Sequence, residues 1–261
     1  MNKLLISALL ALLVMLCGSV QAQDQGQGPA VMKVTIFDYD GAEVDMERRF
    51  RARAKLFREL NPEAAMILLR DEIAGEKTGD FRVHTYYPSL GYFAQAQGRL
   101  ATSDEWQAMQ AARGRATAGG GGTYESLTRV VVPSLRNAPP ETPVEGEVDP
   151  PGVVHVILFT HAGEEADLID NFKARQAIQA KINPQARLSL LKDEIAGGAI
   201  DRYRIHAFYP SVGYFAASQG RERTSEEWQK SQANRAGRSS SRVYEGLSRV
   251  VVGPPARRGG G

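Results

Sequence analysis

The chain has 261 residues, of which 43% are apolar and 24% are charged. That composition is typical of one large globular domain or two smaller ones, and it excludes collagen-like and wholly disordered chains. Lys and Arg number 32 against 30 Asp and Glu, so the formal net charge is only +2. Because no block of like charges stands out, the charge pattern gives no reason to expect a nucleic-acid partner.

Residues 1–22 have the layout of a secretory signal peptide. An apolar run from Leu4 to Cys17 is followed by small and polar residues that end with Ala22. The run is shorter than the roughly 20 residues that a membrane-spanning helix needs, and no other stretch is long enough, so we predict no membrane span. Cleavage after Ala22 would secrete the mature protein to the periplasm or beyond. The alternative is a lipoprotein anchored through Cys17, but Leu16 stands where such signals carry a small residue.

The remainder of the chain contains two copies of one sequence pattern. When the chain is shifted by 122 residues, about four in ten positions match over two stretches of about 100 residues. The matches include Asn61-Pro62 with Asn183-Pro184, Asp71–Gly75 with Asp193–Gly197, Tyr87–Ser89 with Tyr209–Ser211, and Trp106 with Trp228. We therefore predict a first repeat over residues 31–132, a proline-rich linker over 133–152, a second repeat over 153–252 and a polar tail over 253–261.

Each repeat is predicted to contain strands and helices in the order βαββαβ. From periodicity and β-branched content, strands are predicted at 31–37, 64–69, 81–87 and 124–132, and again at 153–159, 186–191, 203–209 and 244–252. The first helices are predicted at 44–60 and 166–182. Thr102 and Thr224 have capping-box spacing to a glutamate, so each is predicted to open a second helix.

This order of elements is the ferredoxin-like plan, whose sheet carries helices on one face only. The bare face of each repeat needs a cover, so we predict an α+β fold in which two ferredoxin-like repeats pair their sheets into one barrel within a monomer. The chain resembles the dimeric α/β-barrel superfamily, and its segment from Tyr209 through Gln229 is similar to the NIPSNAP-like branch. Some members of this superfamily bind or degrade haem, and others oxygenate aromatic substrates without a cofactor. The resemblance implies such chemistry inside the barrel, but those catalytic constellations do not map onto this sequence.

Alternation along the strands predicts which side chains face the inside of the barrel. On the third strands, the smaller and more apolar set that includes Val83 is predicted to lie under the helices, and the set that includes His84 to face inward. On the first strands, Val34 and Val156 are predicted to lie under the helices. The result is a wet, aromatic-walled cavity for a small organic ligand, bound by Arg82, His84, Tyr86, Arg204, His206, His155, His161 and Tyr39. The alternative is that these histidines are structural and bonded within the sheet.

No metal site is predicted, because the sequence contains no HxH, HExxH or CxxC motif. His155 and His161 would lie about 20 Å apart on one strand, too far to bind one ion together. We therefore predict no cofactor, with haem or a metal ion as the alternative. The carboxylate pairs Asp71-Glu72 and Asp193-Glu194 have the composition of an acid/base site, but their position after a strand and before glycine predicts solvated turn residues.

The sequence thus predicts an exported protein that binds a small organic ligand inside a duplicated barrel, and it leaves open whether the protein is an enzyme. One alternative is a cofactor-independent oxygenase or isomerase with His84 or His206 as acid/base. The other is a structural or partner-binding envelope protein with a filled interior. An interior cavity lined by Arg82, His84, Arg204 and His206 would favour ligand binding there.

Overall fold

A computed structural model gives the structure of residues 30–73, 78–116, 124–134, 152–196, 202–233 and 240–253. The predicted signal peptide, most of the predicted linker and nearly all of the predicted tail lie outside these ranges, so the predictions about them remain predictions. Within the described ranges, no helix is both long and apolar enough to cross a membrane.

The two halves of the chain have the same order of elements. The first half contains β1 (Val31–Phe37), α1 (Glu43–Leu60), β2 (Ala65–Ile73), β3 (Phe81–Tyr87), α2 (Leu90–Thr102), α3 (Asp104–Ala116) and β4 (Tyr124–Val132). The second half contains β5 (Val153–His161), α4 (Glu165–Ile182), β6 (Arg187–Ala196), β7 (Arg202–Tyr209), α5 (Val212–Thr224), α6 (Glu226–Ala233) and β8 (Ser240–Val252). Helices α2 and α5 lie between the third strand of each half and the predicted second helix.

The eight strands form a closed antiparallel barrel in the order β1-β3-β2-β8-β5-β7-β6-β4. Two of its ladders join the halves, because β2 pairs with β8 and β4 pairs with β6. Each half thereby covers the bare sheet face of the other, and the helices pack on the outside of the barrel. The predicted fold class, an α+β barrel built from two ferredoxin-like units, is confirmed.

Local side chains explain where the helices begin. Pro88 and Pro210 end the third strands, and the hydroxyls of Ser89 and Ser211 then accept hydrogen bonds from the first turns of α2 and α5. Helix α3 begins after Ser103, whose Oγ accepts a hydrogen bond from the backbone N–H of Trp106 at 3.2 Å. The predicted cap at Thr102 is therefore one residue early, because Thr102 is the last residue of α2.

Both faces of the barrel sheet are buried. Aromatic side chains such as Phe57, Trp106 and Phe172 pack between the outer face and the helices. Aliphatic side chains fill the inner face, in one cluster with Met32, Val34 and Leu191 and another with Ile67, Leu69, Val154 and Val156. Successive side chains of a strand in this sheet therefore point alternately to two buried faces, and not to the core and then to water.

The inner and outer faces of β1 and β5 are the reverse of those predicted. Directly opposed residues of an antiparallel pair place their side chains on the same face, and Val34 lies opposite His84 as Val156 lies opposite His206. The valines thus share the barrel interior with these histidines, and the alternate residues of β1 and β5 face the helices. The prediction that His155, His161 and Tyr39 lie inside the barrel is wrong, because alternation alone cannot distinguish two buried faces.

Candidate functional site

Two buried ion pairs occupy the barrel interior. The Arg82 guanidinium donates from Nε to the Asp71 carboxylate at 2.6 and 2.7 Å, and Arg204 donates to Asp193 at 2.6 and 2.9 Å. Tyrosines of the opposite half complete both arrangements: Arg82 also donates to the Tyr244 hydroxyl and Arg204 to the Tyr124 hydroxyl. Asp71 and Asp193 are almost completely buried. The prediction that they are solvated turn residues is wrong, because β2 and β6 continue through them.

His84 and His206 stack on each other at the centre of the barrel. Their ring centroids are 5.1 Å apart and their planes differ by 27°. Burial lowers the pKa of His84 well below its usual value, and the neighbouring His206, Arg82 and Arg204 lower it further. Burial, together with Arg204 and Arg82, lowers the pKa of His206 to about 3. Both imidazoles are therefore neutral at physiological pH.

The barrel interior is filled around these residues. His84 is 1% exposed, His206 is 7% exposed, and both arginines are 3% exposed. The aliphatic inner-face residues, such as Val34, are similarly enclosed. Tyr86 lies on the same face beside His84 but at the end of the barrel, where 38% of its surface is exposed. The expected wet cavity among Arg82, His84, Arg204 and His206 is thus not formed, because the charges pair with each other and the rings stack.

The remaining predicted site residues lie on the outer face, under the helices. His155 bonds to the carboxylate of Glu245 through Nε2 at 2.8 Å, and its ring packs on Phe215 of α5. Tyr39 packs edge-on against Phe81 and lies under the guanidinium of Arg49 from α1. His161 bonds to Ser240 through Nδ1. These side chains do not meet the central histidines, so the predicted eight-residue set is not one site.

A cleft lies between the outer face of β1, β2 and β3 and the helices α1, α2 and α3. We call it the first cleft. Its volume is about 270 Å³. Its apolar wall is formed by Phe57, Met66, Val83, Leu100 and Trp106. Polar groups enter it from the strands and from the helices, namely Lys33, Thr35, Thr85, Tyr87, Gln97, Gln107 and Gln110. Small-molecule sites combine an apolar wall with convergent polar groups, and in this cleft the polar groups predominate.

Hydrogen bonds hold several polar groups of the first cleft in place. The carboxylate of Glu125 on β4 forms a salt bridge with Lys33 Nζ at 3.1 Å and accepts a hydrogen bond from Thr35 Oγ1 at 3.3 Å. Burial raises the pKa of Tyr87 to about 12, so its hydroxyl stays protonated and available as a donor. Arg53 lies over the Trp106 ring, 5.1 Å from its centroid. The cleft therefore offers fixed donors and acceptors beside an aromatic wall.

The second half does not reproduce the first cleft. Ile157 and Ala207 stand at the positions that match Thr35 and Thr85. At the positions of Phe57 and Leu100 stand Gln179 and Glu222, which bond to each other at 2.9 Å. The first cleft was not predicted from the sequence, because Thr35 was assigned to the barrel interior. Thr85 was an available signal, since it is a polar residue on the face of β3 that was predicted to lie under the helices.

The described residues do not fit a haem or a metal centre. They contain no group of three or more His, Cys, Asp or Glu side chains that could hold an ion. A haem needs an axial ligand that faces a porphyrin-sized space, and the enclosed His84 and His206 face each other. His155 is bonded to Glu245, and the cavity beside His161, at about 180 Å³, is far smaller than a porphyrin.

Solved structures share this fold across most of the chain. A candidate monooxygenase from Fusobacterium nucleatum is 8% identical with a TM-score of 0.56, and the match covers 88% of this chain and 99% of that chain. A candidate monooxygenase from Lactobacillus acidophilus is 10% identical with a TM-score of 0.55 and covers 88% and 99%. An anthrone oxidase-like protein is 12% identical with a TM-score of 0.50 and covers 86% and 92%. No family model and no curated protein matches the chain. At these identities the similarity establishes the fold alone, that of dimeric α/β-barrel proteins.

Proposed function

We propose that the protein binds a small organic molecule in the first cleft. The observation that carries this proposal is the cleft itself, which is lined by the aromatic rings of Trp106 and Phe57 and by the hydroxyls of Thr85 and Tyr87. These features favour a ring-containing ligand with a few hydrogen-bonding groups. The barrel interior, where the sequence predicted the ligand, is filled by the two ion pairs and by the stacked histidines, whose Nδ1 atoms have no hydrogen bond to the described residues.

A blocking variant tests this proposal. Ala101 is an exposed residue at the rim of the first cleft, near the end of α2. We expect Ala101→Trp to close the rim without disturbing the core, because the position is exposed. Ala94→Trp is the matched control, since Ala94 is exposed on the same helix but does not line the cleft.

Native mass spectrometry of protein purified from its own host provides the measurement. The wild type and the Ala94→Trp control should carry one retained small molecule, and Ala101→Trp should have the bare mass. Retention of the same molecule by Ala101→Trp would place the ligand elsewhere. A bare mass for the wild type would contradict a tightly held ligand in this cleft.

An oxygenase that acts on an aromatic substrate is the second candidate. Its support is the fold shared with candidate monooxygenases and the presence of Trp106 and Tyr87 in the lining of the cleft. His84 and His206 are not its acid/base, because both are enclosed. Oxygen uptake with the retained molecule as substrate distinguishes an enzyme from a binding protein. A structural envelope role would give neither uptake nor a retained molecule.

The proposal includes export and an origin by duplication from a NIPSNAP-like unit. The support is the apolar run before Ala22 and the repeat identity at a 122-residue shift. The intact mass of the mature protein tests the first point. A chain that begins at Gln23 is expected, and a chain that begins at an acylated Cys17 would show a lipoprotein instead.

A further inference from the structure

A separate cavity lies in the second half, at the opposite end of the sheet from the linker. It is bounded by β5, β7, α4, α6 and the start of β8, and its volume is about 180 Å³. We call it the second-half cavity. Phe159, Leu168, Phe172 and Ile205 form its apolar walls. The polar residues that line it are His161, Asn171, Arg175, Ser231 and Ser240.

Comparison of the two halves shows why this space exists. At the positions that match His161, Leu168 and Ser231, the first half has Tyr39, Met46 and Met109. Tyr39 and Met109 are larger than His161 and Ser231, and all three first-half side chains pack against the first-half core. Ser231 stands where the first half has Met109, and its side chain occupies much less volume than that of methionine. The cavity is thus a property of the second half, not of the fold.

Two polar atoms at the second-half cavity are left without a hydrogen bond. His161 Nδ1 bonds to Ser240 Oγ at 3.0 Å, but Nε2 of the same ring is buried and has no partner in the described structure. Ser231 Oγ is also buried without a partner there. An unsatisfied buried polar group costs free energy, so a ligand atom that bonds to it gains that free energy on binding. A bound polar group would remove both deficits.

The charged side chain on the wall of the second-half cavity is Arg175, which interacts electrostatically with Glu222 outside that wall. Arg175 is on its wall with Cζ 5.0 Å from the Trp228 ring centroid, and no acidic side chain is among the described residues that line it. A guanidinium keeps donors for a further acceptor even when it already has a partner, since it has five. The aromatic side chains of Phe159 and Phe172 on the cavity wall suit contact with a ring or a branched alkyl group.

From these contacts we infer that the second-half cavity binds a small monocyclic carboxylate. The ring packs against the apolar wall that includes Phe159 and Phe172, and the carboxylate accepts hydrogen bonds from the polar residues His161, Ser231 and Arg175 that line the same cavity. This site is independent of the first cleft, which is in the other half of the chain.

Benzoate is a suitable probe, because it combines one ring with one carboxylate. Calorimetric titration of the full mature chain should show saturable binding of benzoate, and benzamide, which has the same shape without the charge, should bind at least about tenfold more weakly. No saturation by benzoate would overturn the inference. Equal binding of benzamide would overturn the assignment to a carboxylate.

The first half supplies the variant that removes the second-half cavity. The double change His161→Tyr and Ser231→Met installs the residues of the first half. Tyr39 lies over Gly41, where a Cβ would come within 2.4 Å of its ring, and Gly163 provides the same room beneath residue 161. The double variant should therefore fold, with an unchanged or raised Tm, and should bind benzoate at least about tenfold more weakly than the wild type.

The Ala101→Trp variant is the matched control, since it alters only the first cleft. It should bind benzoate as the wild type does. If instead the cavity-filling double variant binds benzoate unchanged, or if Ala101→Trp removes the binding, the benzoate site is not the second-half cavity. Because each variant addresses one opening, failure of this inference leaves the test of the first cleft intact.

Discussion

The two buried arginines set the geometry of the barrel interior. A buried ion pair must compensate for the loss of hydration of both ions, and it does so only with close and well-directed hydrogen bonds. Arg82 achieves this with Asp71 in its own half and Tyr244 in the other half. Asp71 also accepts a hydrogen bond from the hydroxyl of Ser248 in the other half. These bonds link the halves at a defined register and occupy the space in which the sequence predicted a ligand.

Removal of one partner from such a pair should be strongly destabilising. Asp71→Asn leaves the Arg82 guanidinium buried without a counter-charge, so we expect a loss of about 3–5 kcal/mol in the free energy of unfolding. The neighbouring Glu72→Gln is the control, because Glu72 pairs with Arg249 at the surface and should contribute less than about 1 kcal/mol. Urea denaturation of the three proteins measures both. Equal losses for the two variants would show that the buried pair does not carry this stability.

At the level of elements, hydrophobic spacing and β-branched runs predicted the order of the strands and the position of the first helices correctly. The strands β2 and β6 end four and five residues later than predicted, and β8 begins four residues earlier. Each strand run is bounded by Pro, Gly or Asn, and those signals are local. The side of β1 and β5 that faces inward is not local information, because it depends on which residue of β3 or β7 lies opposite. Lys33 and Thr35 suggested a wet interior, yet they line a cleft under the helices.

The buried aspartates show a second limit of local patterns. Asp71 precedes Glu72 and a glycine, a composition that predicts a turn. The partner that keeps Asp71 in the sheet is Arg82, eleven residues along the chain on the next strand. A usable signal was the repeat itself, since Asp193 and Arg204 occur with the same spacing. Paired Asp and Arg at matching positions in both halves predict a pair that the fold requires.

The start of α3 gives an element-scale prediction. Ser103 accepts a hydrogen bond from Trp106, whereas the Thr102 hydroxyl donates back to carbonyls of α2. Ser103→Ala should therefore cost about 1 kcal/mol of stability, and Thr102→Ala should cost about 0.5 kcal/mol or less. Ser225→Ala in α6 should repeat the effect, because Ser225 accepts from Trp228. Thermal unfolding of the variants gives the comparison, and a larger loss for Thr102→Ala would restore the cap expected from the sequence.

For the whole molecule, the central histidines predict an acid-sensitive barrel. The folded-state pKa of each is lowered below its usual value, so the unfolded chain binds protons that the folded chain does not. Stability is therefore complete above about pH 6.5 and falls as the pH decreases, by up to about 1.4 kcal/mol per pH unit for each histidine. For His206 this loss continues toward pH 3, where its folded form titrates.

The variant His84→Gln with His206→Gln tests this pH dependence. Its free energy of unfolding should depend less on pH than that of the wild type between pH 6.5 and pH 5.5, where most carboxylates stay ionised. Burial raises the pKa of Glu222, and the slope that this carboxyl adds is common to both proteins. A residual slope is expected from His155, whose pKa burial lowers despite its bond to Glu245. Parallel slopes for the wild type and the double variant would mean that the central pair does not control the acid response.

The closed barrel also predicts that the two halves remain together without a covalent connection. The β2–β8 and β4–β6 ladders both join the two halves. Two salt bridges beside these ladders also join them, one between Arg249 and Glu43 and one between Arg129 and Glu165. Each half alone would expose a sheet face that carries a buried ion pair and half of the histidine stack. We therefore expect a protein cleaved at a protease site inserted between Pro140 and Gly146 to elute from gel filtration at the volume of the intact chain. In denaturant the same sample should separate into two fragments of similar size. Elution of two well-folded halves in native buffer would show that each ferredoxin-like unit is stable alone and would remove the basis for a shared interior.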